Sequence, residues 1–157
     1  MHHYDYVVVG AGSAGSALAS RLSESGKFTV CLLEAGGSDK KFWVQMPLGY
    51  GKVFHDPSVN WRYMTEPEPN LDNQSVYWPR GKVLGGSSSI NAMVWVRGHK
   101  RDYEEWASVA PGWDWNNVQK IFNRIENWDG TSDVSRGMNG PQAVHDVSSD
   151  VHPLTIS

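Results

Sequence analysis

The feature that most constrains the fold is a glycine pattern directly after a short apolar run. Residues 10–15 read Gly-Ala-Gly-Ser-Ala-Gly, which matches GxGxxG, and they follow the β-branched run Tyr6–Val9. A run that is apolar on both faces and ends at a glycine is typical of a buried parallel strand. At the turn from such a strand into a helix, the pattern predicts a turn of the kind that binds dinucleotides.

The residues after the pattern complete a β-turn-α-β unit. From residue 13 to about residue 25, apolar side chains recur at helical spacing, and Gly26 can end the helix. Residues 29–33 form a second apolar run, and Glu34 follows it, 19 residues past Gly15. A carboxylate at this place can accept hydrogen bonds from a ribose diol and would repel a 2′-phosphate, which argues against NADP. NAD and FAD both remain open on this pattern alone.

Each residue of the first turn has a physical part to play in such a site. Gly10 permits the tight turn, Gly12 lets the backbone approach a pyrophosphate, and Gly15 allows close contact between helix and strand. Ser13 and Ala14 offer free N–H groups at the positive end of the helix. The alternative is an accidental glycine-rich turn in an α/β domain, which the register of strand, helix and acidic residue disfavours.

Composition excludes several other classes of protein. The chain has 157 residues, enough for one domain with a real core. Its 14 basic and 17 acidic residues give a net charge of −3, so nucleic-acid binding is not expected as its main activity. A single cysteine, Cys31, excludes an internal disulfide framework and favours a reducing compartment. The sequence has no transmembrane run and no signal-peptide pattern, so we expect a cytoplasmic protein.

The rest of the chain is less regular. Pro47, Pro57, Pro67 and Pro69 interrupt residues 38–79, which predicts a long excursion with little regular structure. Residues 101–107 and 115–127 carry helical apolar spacing, with Asp114 as the N-cap of the second helix. Beyond Asn127 the chain is polar and rich in glycine, and residues 141–147 include one candidate edge strand.

A second glycine-rich segment, residues 81–89, lies inside a longer stretch that points to a family. This stretch, residues 77–98, resembles the first signature of the glucose-methanol-choline (GMC) oxidoreductases, which are FAD enzymes. The matching positions are Gly81 with a basic neighbour, Leu84, Gly85, Gly86, two hydroxyl residues, Ile90, Asn91, Trp95, Gly98 and Glu104. Further stretches that resemble the same family are residues 60–67, 102–106, 112–115 and 140–141, so the resemblance runs from Tyr4 to about Leu154.

The resemblance implies a fold and a division into domains. The fold class is α/β, with a Rossmann-like FAD-binding domain and the start of an α+β substrate domain. We expect residues 1–127 to form the N-terminal part of the FAD-binding domain, including the excursion 38–79. Residues 128–157 would begin the substrate-binding domain, in a chain that is part of a longer enzyme.

The resemblance also implies an activity. It is that of a flavin-dependent alcohol oxidase or dehydrogenase, which transfers hydride from a CH–OH donor to FAD, and the likeness is greatest to bacterial choline or aliphatic alcohol dehydrogenases. The family's catalytic histidines lie far towards the C-terminus, so no catalytic residue is expected in this chain. The expected partners are a small alcohol and the remaining C-terminal part of the enzyme, in the same or a companion chain. No metal site is predicted.

The two glycine segments and the resemblance together predict the cofactor contacts. Gly85 and Gly86 let the backbone approach the diphosphate, and Ser87 adds a hydroxyl donor to it. Some family members attach FAD covalently through a histidine at the position of Ile90, so isoleucine implies noncovalent FAD. The predicted contacts are Gly10, Gly12, Ser13, Ala14, Gly15, Glu34, Ala35, Trp61, Arg80, Gly81, Val83, Gly85, Gly86, Ser87 and, along the flavin ring, Asn91, Ala92, Met93 and Val94.

Two alternatives remain open at this point. The same cofactor cradle serves lyases and a photodecarboxylase, in which no net alcohol oxidation occurs. The chain could also be an FAD-binding module that is inactive without a companion chain. Alcohol-dependent dye reduction separates the first alternative from an oxidoreductase, and flavin binding without bleaching by alcohol would favour the second.

Overall fold

The computed structural model describes residues 2–130 and 135–146, and the chain divides into two compact units, residues 1–94 and 95–157. The domain boundary expected after Asn127 falls inside the second unit. The expected boundary divides cofactor binding from substrate binding, and it stays a prediction. Much of the expected start of the substrate domain, residues 131–134 and 147–157, lies outside the described residues.

The first unit begins with the predicted β-turn-α-β arrangement. Strand β1 (Tyr6–Val9) pairs in parallel with β2 (Val30–Leu33), and helix α1 (Ser13–Ser23) connects them. A Cβ atom at Gly15 would lie only 1.9 Å from the carbonyl oxygen of Gly10. The helix can therefore pack this closely on the turn only because residue 15 has no side chain. The α/β class is confirmed.

The excursion folds as short elements around a small apolar core. The core contains Val53, Val59, Val83 and Ile90, all buried. Because Val83 and Ile90 stand on either side of residues 84–89, which include Gly85 and Gly86, this core fixes that stretch at both ends. The regular elements here are α2 (Phe42–Gln45), α3 (Tyr50–Val53), β3 (Tyr63–Met64), its antiparallel partner β4 (Tyr77–Trp78), and single 3₁₀ turns at Pro47–Gly49, Pro69–Leu71 and Gly86–Ser89.

The second unit contains two helices and a pair of parallel strands. These are α4 (Lys100–Ala107), α5 (Trp115–Ile125), β5 (Glu126–Trp128) and β6 (Gln142–Val144). Asp114 caps α5 as predicted, since its carboxylate accepts a hydrogen bond from the Asn117 N–H at 3.1 Å. The helix ends two residues before the predicted Asn127, because Glu126 takes an extended backbone and enters the strand pair.

Glu126 is the polar centre of the second unit. Its carboxylate is fully buried and accepts hydrogen bonds from Trp95 Nε1 at 2.6 Å, Arg97 Nε at 2.9 Å and Arg136 Nη1 at 2.9 Å. Arg97 Nη2 and the Gly137 N–H bond the second oxygen. Burial raises the pKa of Glu126, but these hydrogen bonds and the charge of Arg97 outweigh it and lower the pKa to about 2. The carboxylate is therefore ionised at neutral pH.

No helix of the described residues has the length and apolar character needed to cross a bilayer, and the longest two, α1 and α5, have 11 residues each.

Candidate functional site

The two glycine segments meet although about seventy residues separate them in sequence. The Gly85 N–H donates to the Ala11 carbonyl at 2.8 Å, and Gly12 and Gly85 form a parallel bridge. Gly86 has a left-handed φ of +59°, and a Cβ atom there would lie 2.8 Å from Cα of Gly12. The backbones therefore touch at a place where a side chain would force them apart.

A cleft of about 620 Å³ opens beside this contact. Its volume lies within the range of about 300–1,000 Å³ that is typical of small-molecule and cofactor sites. Nine of the predicted contact residues line it, together with three that the sequence did not single out, Val9, Leu33 and Tyr63. The nine are Gly10, Gly12, Glu34, Ala35, Trp61, Arg80, Gly81, Gly86 and Ser87.

Glu34 joins the end of β2 to the first glycine turn. One carboxylate oxygen accepts the Ala11 N–H at 2.8 Å, and the other accepts the Gly36 N–H at 2.8 Å. Two backbone donors thus fix the orientation of the carboxylate in the cleft. A carboxylate has about four acceptor positions, so Glu34 keeps the capacity to accept further hydrogen bonds from ligand hydroxyls.

Trp61, Tyr63 and Arg80 line another part of the cleft, and Lys82 and Trp78 contact them. The rings of Trp61 and Tyr63 are parallel to within 5°, with centroids 6.0 Å apart, and Lys82 Nζ lies 4.6 Å from the Trp61 ring centroid. The guanidinium of Arg80 lies 4.8 Å from the ring centroid of Trp78. The cleft therefore combines flat apolar surface with positive charge, which suits a ligand that has both a planar ring and an anionic group.

A buried asparagine supports this part of the cleft. Asn60 Oδ1 accepts hydrogen bonds from the N–H groups of Arg62 and Arg80, at 2.8 and 3.0 Å, and its Nδ2 donates to the Phe54 carbonyl at 2.8 Å. Sequence reasoning gave Asn60 no role. The only available signal was its place in the family-like stretch 60–67, because its burial arises from tertiary contacts.

The other predicted residues are not in the lining of the cleft. Ser13, Ala14 and Gly15 form the first turn of α1, while Val83 belongs to the core and Gly85 to the contact with the first turn. Asn91 and Met93 line a second cavity of about 120 Å³, and Ala92 and Val94 are exposed on the same segment. These last four residues, predicted along the flavin ring, are not among those that line the cleft.

The 3₁₀ turn Gly86–Ser89 stands between the two cavities. Gly86 and Ser87 line the cleft, whereas Ser88 and Ser89 line the smaller cavity. On the side of the smaller cavity, Asn91 Oδ1 accepts the Met93 N–H at 2.9 Å. The second glycine segment therefore contributes to both spaces.

The residues of the cleft fit a dinucleotide. Glycine residues, which have no side chain, lie where a diphosphate would approach the start of α1, and the carboxylate of Glu34 lies at the end of β2. The part of the chain that the structure describes holds no group of three or more His, Cys, Asp or Glu side chains that could bind a metal ion.

Comparisons with known proteins agree with this geometry. A family model described as GMC oxidoreductase matches residues 4–155. An oxygen-dependent choline dehydrogenase of Vibrio vulnificus is 51% identical over 140 residues, which are 88% of this chain and 25% of the relative. A GMC-type oxidoreductase of Mycobacterium tuberculosis is 51% identical over 142 residues, 87% of this chain and 27% of the relative. The chain thus spans about a quarter of the length of the curated relatives it matches.

Solved structures share the fold. Pyridoxine 4-oxidase from Mesorbium loti superposes with a TM-score of 0.86 at 34% identity, covering 98% of this chain and 30% of the oxidase. A formate oxidase gives a TM-score of 0.77 at 27% identity over 91% of this chain and 26% of its own. Another similar structure is described as an FAD-dependent oxidoreductase from Chaetomium thermophilum, with a TM-score of 0.72 at 31% identity, covering 91% of this chain and 26% of its own.

Proposed function

Because the chain belongs to the GMC oxidoreductase family, we propose that it forms the FAD-binding N-terminal part of an enzyme that oxidises a CH–OH donor. The observation that carries the proposal is the meeting of the two glycine segments at one cleft, with Glu34 in the same wall. Relatives named as a choline dehydrogenase and as oxidases support an oxidoreductase rather than a lyase or a photodecarboxylase.

We propose that the cleft holds the dinucleotide part of FAD. Gly12 and Ser87 would hold the diphosphate through backbone and hydroxyl donors near the start of α1. Gly86, whose N–H donates to the Val83 carbonyl at 2.7 Å, would let the backbone approach the diphosphate closely. Glu34 would accept hydrogen bonds from the ribose hydroxyls with the acceptor capacity that Ala11 and Gly36 leave to it. The parallel rings of Trp61 and Tyr63 offer a flat surface of the kind on which a planar base stacks.

We propose that residues 91–94 border the flavin ring, as the family resemblance implies. When bound, the flavin would supply the hydride acceptor. The task of this segment is then to present backbone and amide dipoles that stabilise negative charge. Ile90 is buried in the core beside Val53 and has no nucleophilic atom, which supports noncovalent attachment.

The remaining parts of the function are also proposals. The proton-accepting histidines would lie outside these 157 residues, and a small-molecule alcohol would be the substrate. Whether a companion chain takes part, and whether the enzyme is cytoplasmic, stay predictions.

The proposal is tested on the complete gene product. We expect the purified protein to show a flavin absorbance spectrum, to release free FAD into the supernatant after acid precipitation, and to bleach anaerobically with an alcohol from a panel that includes choline. A panel of cyanohydrins and an illuminated fatty-acid sample test the lyase and the photodecarboxylase. Absence of bound flavin, or flavin that no alcohol bleaches, would contradict the proposed function.

A further inference from the structure

We propose that Asn60 is a positioning residue for the cleft, which fixes Trp61, Tyr63 and Arg80 in its wall. It would do so through a left-handed turn at Arg62 and through the N–H of Arg80. The inference rests on the proposed function for the identity of the ligand, FAD, and on the contacts of Asn60 for everything else.

The first step is the environment of the Asn60 side chain. Asn60 is 2% exposed, and both ends of its amide have partners. A buried amide without hydrogen bonds is costly, so these partners determine which way the side chain is turned. The oxygen, with its two acceptor positions, is the end that faces the cleft-forming segments at Arg62 and Arg80.

The second step is the backbone of Arg62. Its φ is +55°, a left-handed conformation that disfavours residues with a Cβ atom and that Asn or Asp tolerates better than Arg. The Arg62 N–H donates to Asn60 Oδ1, so the asparagine supplies the compensating hydrogen bond from two residues away. Trp61 and Tyr63 flank this turn, and their rings lie parallel.

The third step is the contact between Asn60 and Arg80. The Arg80 N–H donates to the same oxygen of Asn60, and the Trp61 N–H donates to the Arg80 carbonyl at 2.9 Å. One buried oxygen thus accepts hydrogen bonds from the backbone of both Arg62 and Arg80. Removing this oxygen takes away the acceptor that holds the turn at Arg62 and the acceptor that holds the backbone of Arg80 at the same time.

Substituting Asn60 and Arg62 separately and together tests this assignment in the complete gene product. We expect N60A to weaken FAD binding by about tenfold or more, equivalent to about 1.4 kcal/mol, since two backbone partners are lost. R62G should bind FAD as the wild type does, because glycine adopts a positive φ without strain. In the double variant N60A/R62G, the part of the lost affinity that depends on the turn at Arg62 should return, while the part that depends on Arg80 stays lost.

Two controls separate positioning from general stability. N73G changes another left-handed residue, φ +57°, outside the lining of the cleft, and should leave the FAD affinity unchanged. N60S keeps a neutral hydroxyl acceptor for the Arg62 N–H, as hydroxyls do in such turns, so it should retain measurable FAD affinity even where N60A does not accumulate. FAD dissociation constants come from flavin fluorescence, and melting temperatures are recorded for the same samples.

The outcomes are distinct. Weak FAD binding by N60A that R62G restores in part, while the melting temperature stays low, supports the proposal. Wild-type affinity in N60A, or no measurable affinity in N60S with an unchanged melting temperature, would overturn it. Failure of the proposed function is a different result, since the wild-type protein would then bind no FAD at all.

Discussion

The glycines of the site differ in what they would tolerate, and the difference follows from their surroundings. At Gly86 a Cβ atom would meet the backbone of Gly12 at 2.8 Å, and the φ of +59° adds strain for any other residue. At Gly51, by contrast, a Cβ atom would meet nothing within 4 Å, and its φ is not positive. Backbone atoms cannot rotate away as a flexible side chain can, so a Cβ atom at Gly86 would force the two backbone segments apart.

We therefore predict that G86A separates the two glycine segments and abolishes FAD binding. The left-handed backbone alone costs about 1–2 kcal/mol for alanine, and the backbone contact adds to that cost. Flavin retention during purification and urea unfolding measure the two effects. The matched variant G51A, in α3, should retain flavin, and a G86A protein that also retained it would contradict the contact described at Gly12.

At the scale of elements, predictability followed the range of the interactions. β1, α1 and β2 were predictable because apolar period, glycine and strand length are local signals. The end of α5 was not, since Glu126 leaves the helix to reach partners up to 31 residues away in sequence. The roles of Asn60 and Tyr63 were not predicted for the same reason, because their positions depend on Arg80 and on the cleft rather than on neighbouring residues.

The strand β5 depends on the ionised form of Glu126, which gives the second unit a predictable response to acid. The pKa of Glu126 is lowered from 4.5 to about 2, so its stabilisation is fully present above pH 4.5 and is lost as the pH falls towards 2. The shift corresponds to about 3 kcal/mol. We expect E126Q to be strongly destabilised at pH 7 and to lack this part of the acid dependence.

Urea unfolding at pH 7 and at pH 3 measures both effects. E105Q is the control, because Glu105 pairs with Arg101 at an exposed site where ion pairs contribute only about 0.3–0.5 kcal/mol. Equal acid dependence in E126Q and the wild type would show that another carboxylate is responsible.

For the whole molecule, the net charge of −3 is negative although the proposed ligand is an anion. The proposed site would therefore hold the diphosphate with backbone donors more than with an excess of basic side chains. Ligand binding to the folded state alone should stabilise the protein, by about 2.7 kcal/mol when free FAD is at 100 times its dissociation constant. We predict that added FAD raises the melting temperature of the complete gene product.

AMP and NADP are the comparison ligands in that measurement. AMP should give a smaller shift, since it lacks the second half of the dinucleotide, and NADP should give none because its 2′-phosphate would approach Glu34. A shift with NADP as large as that with FAD would argue against the ribose contact.

The 3₁₀ turn Gly86–Ser89 separates the cleft from the smaller cavity. A substitution in this turn therefore changes the lining of both spaces at once. With FAD in the cleft as proposed, enlarging the Asn91 side through Ser88 or Ser89 should also weaken the coenzyme's binding, whereas Trp43 and Tyr50 line the smaller cavity alone and are the better positions at which to admit bulkier molecules.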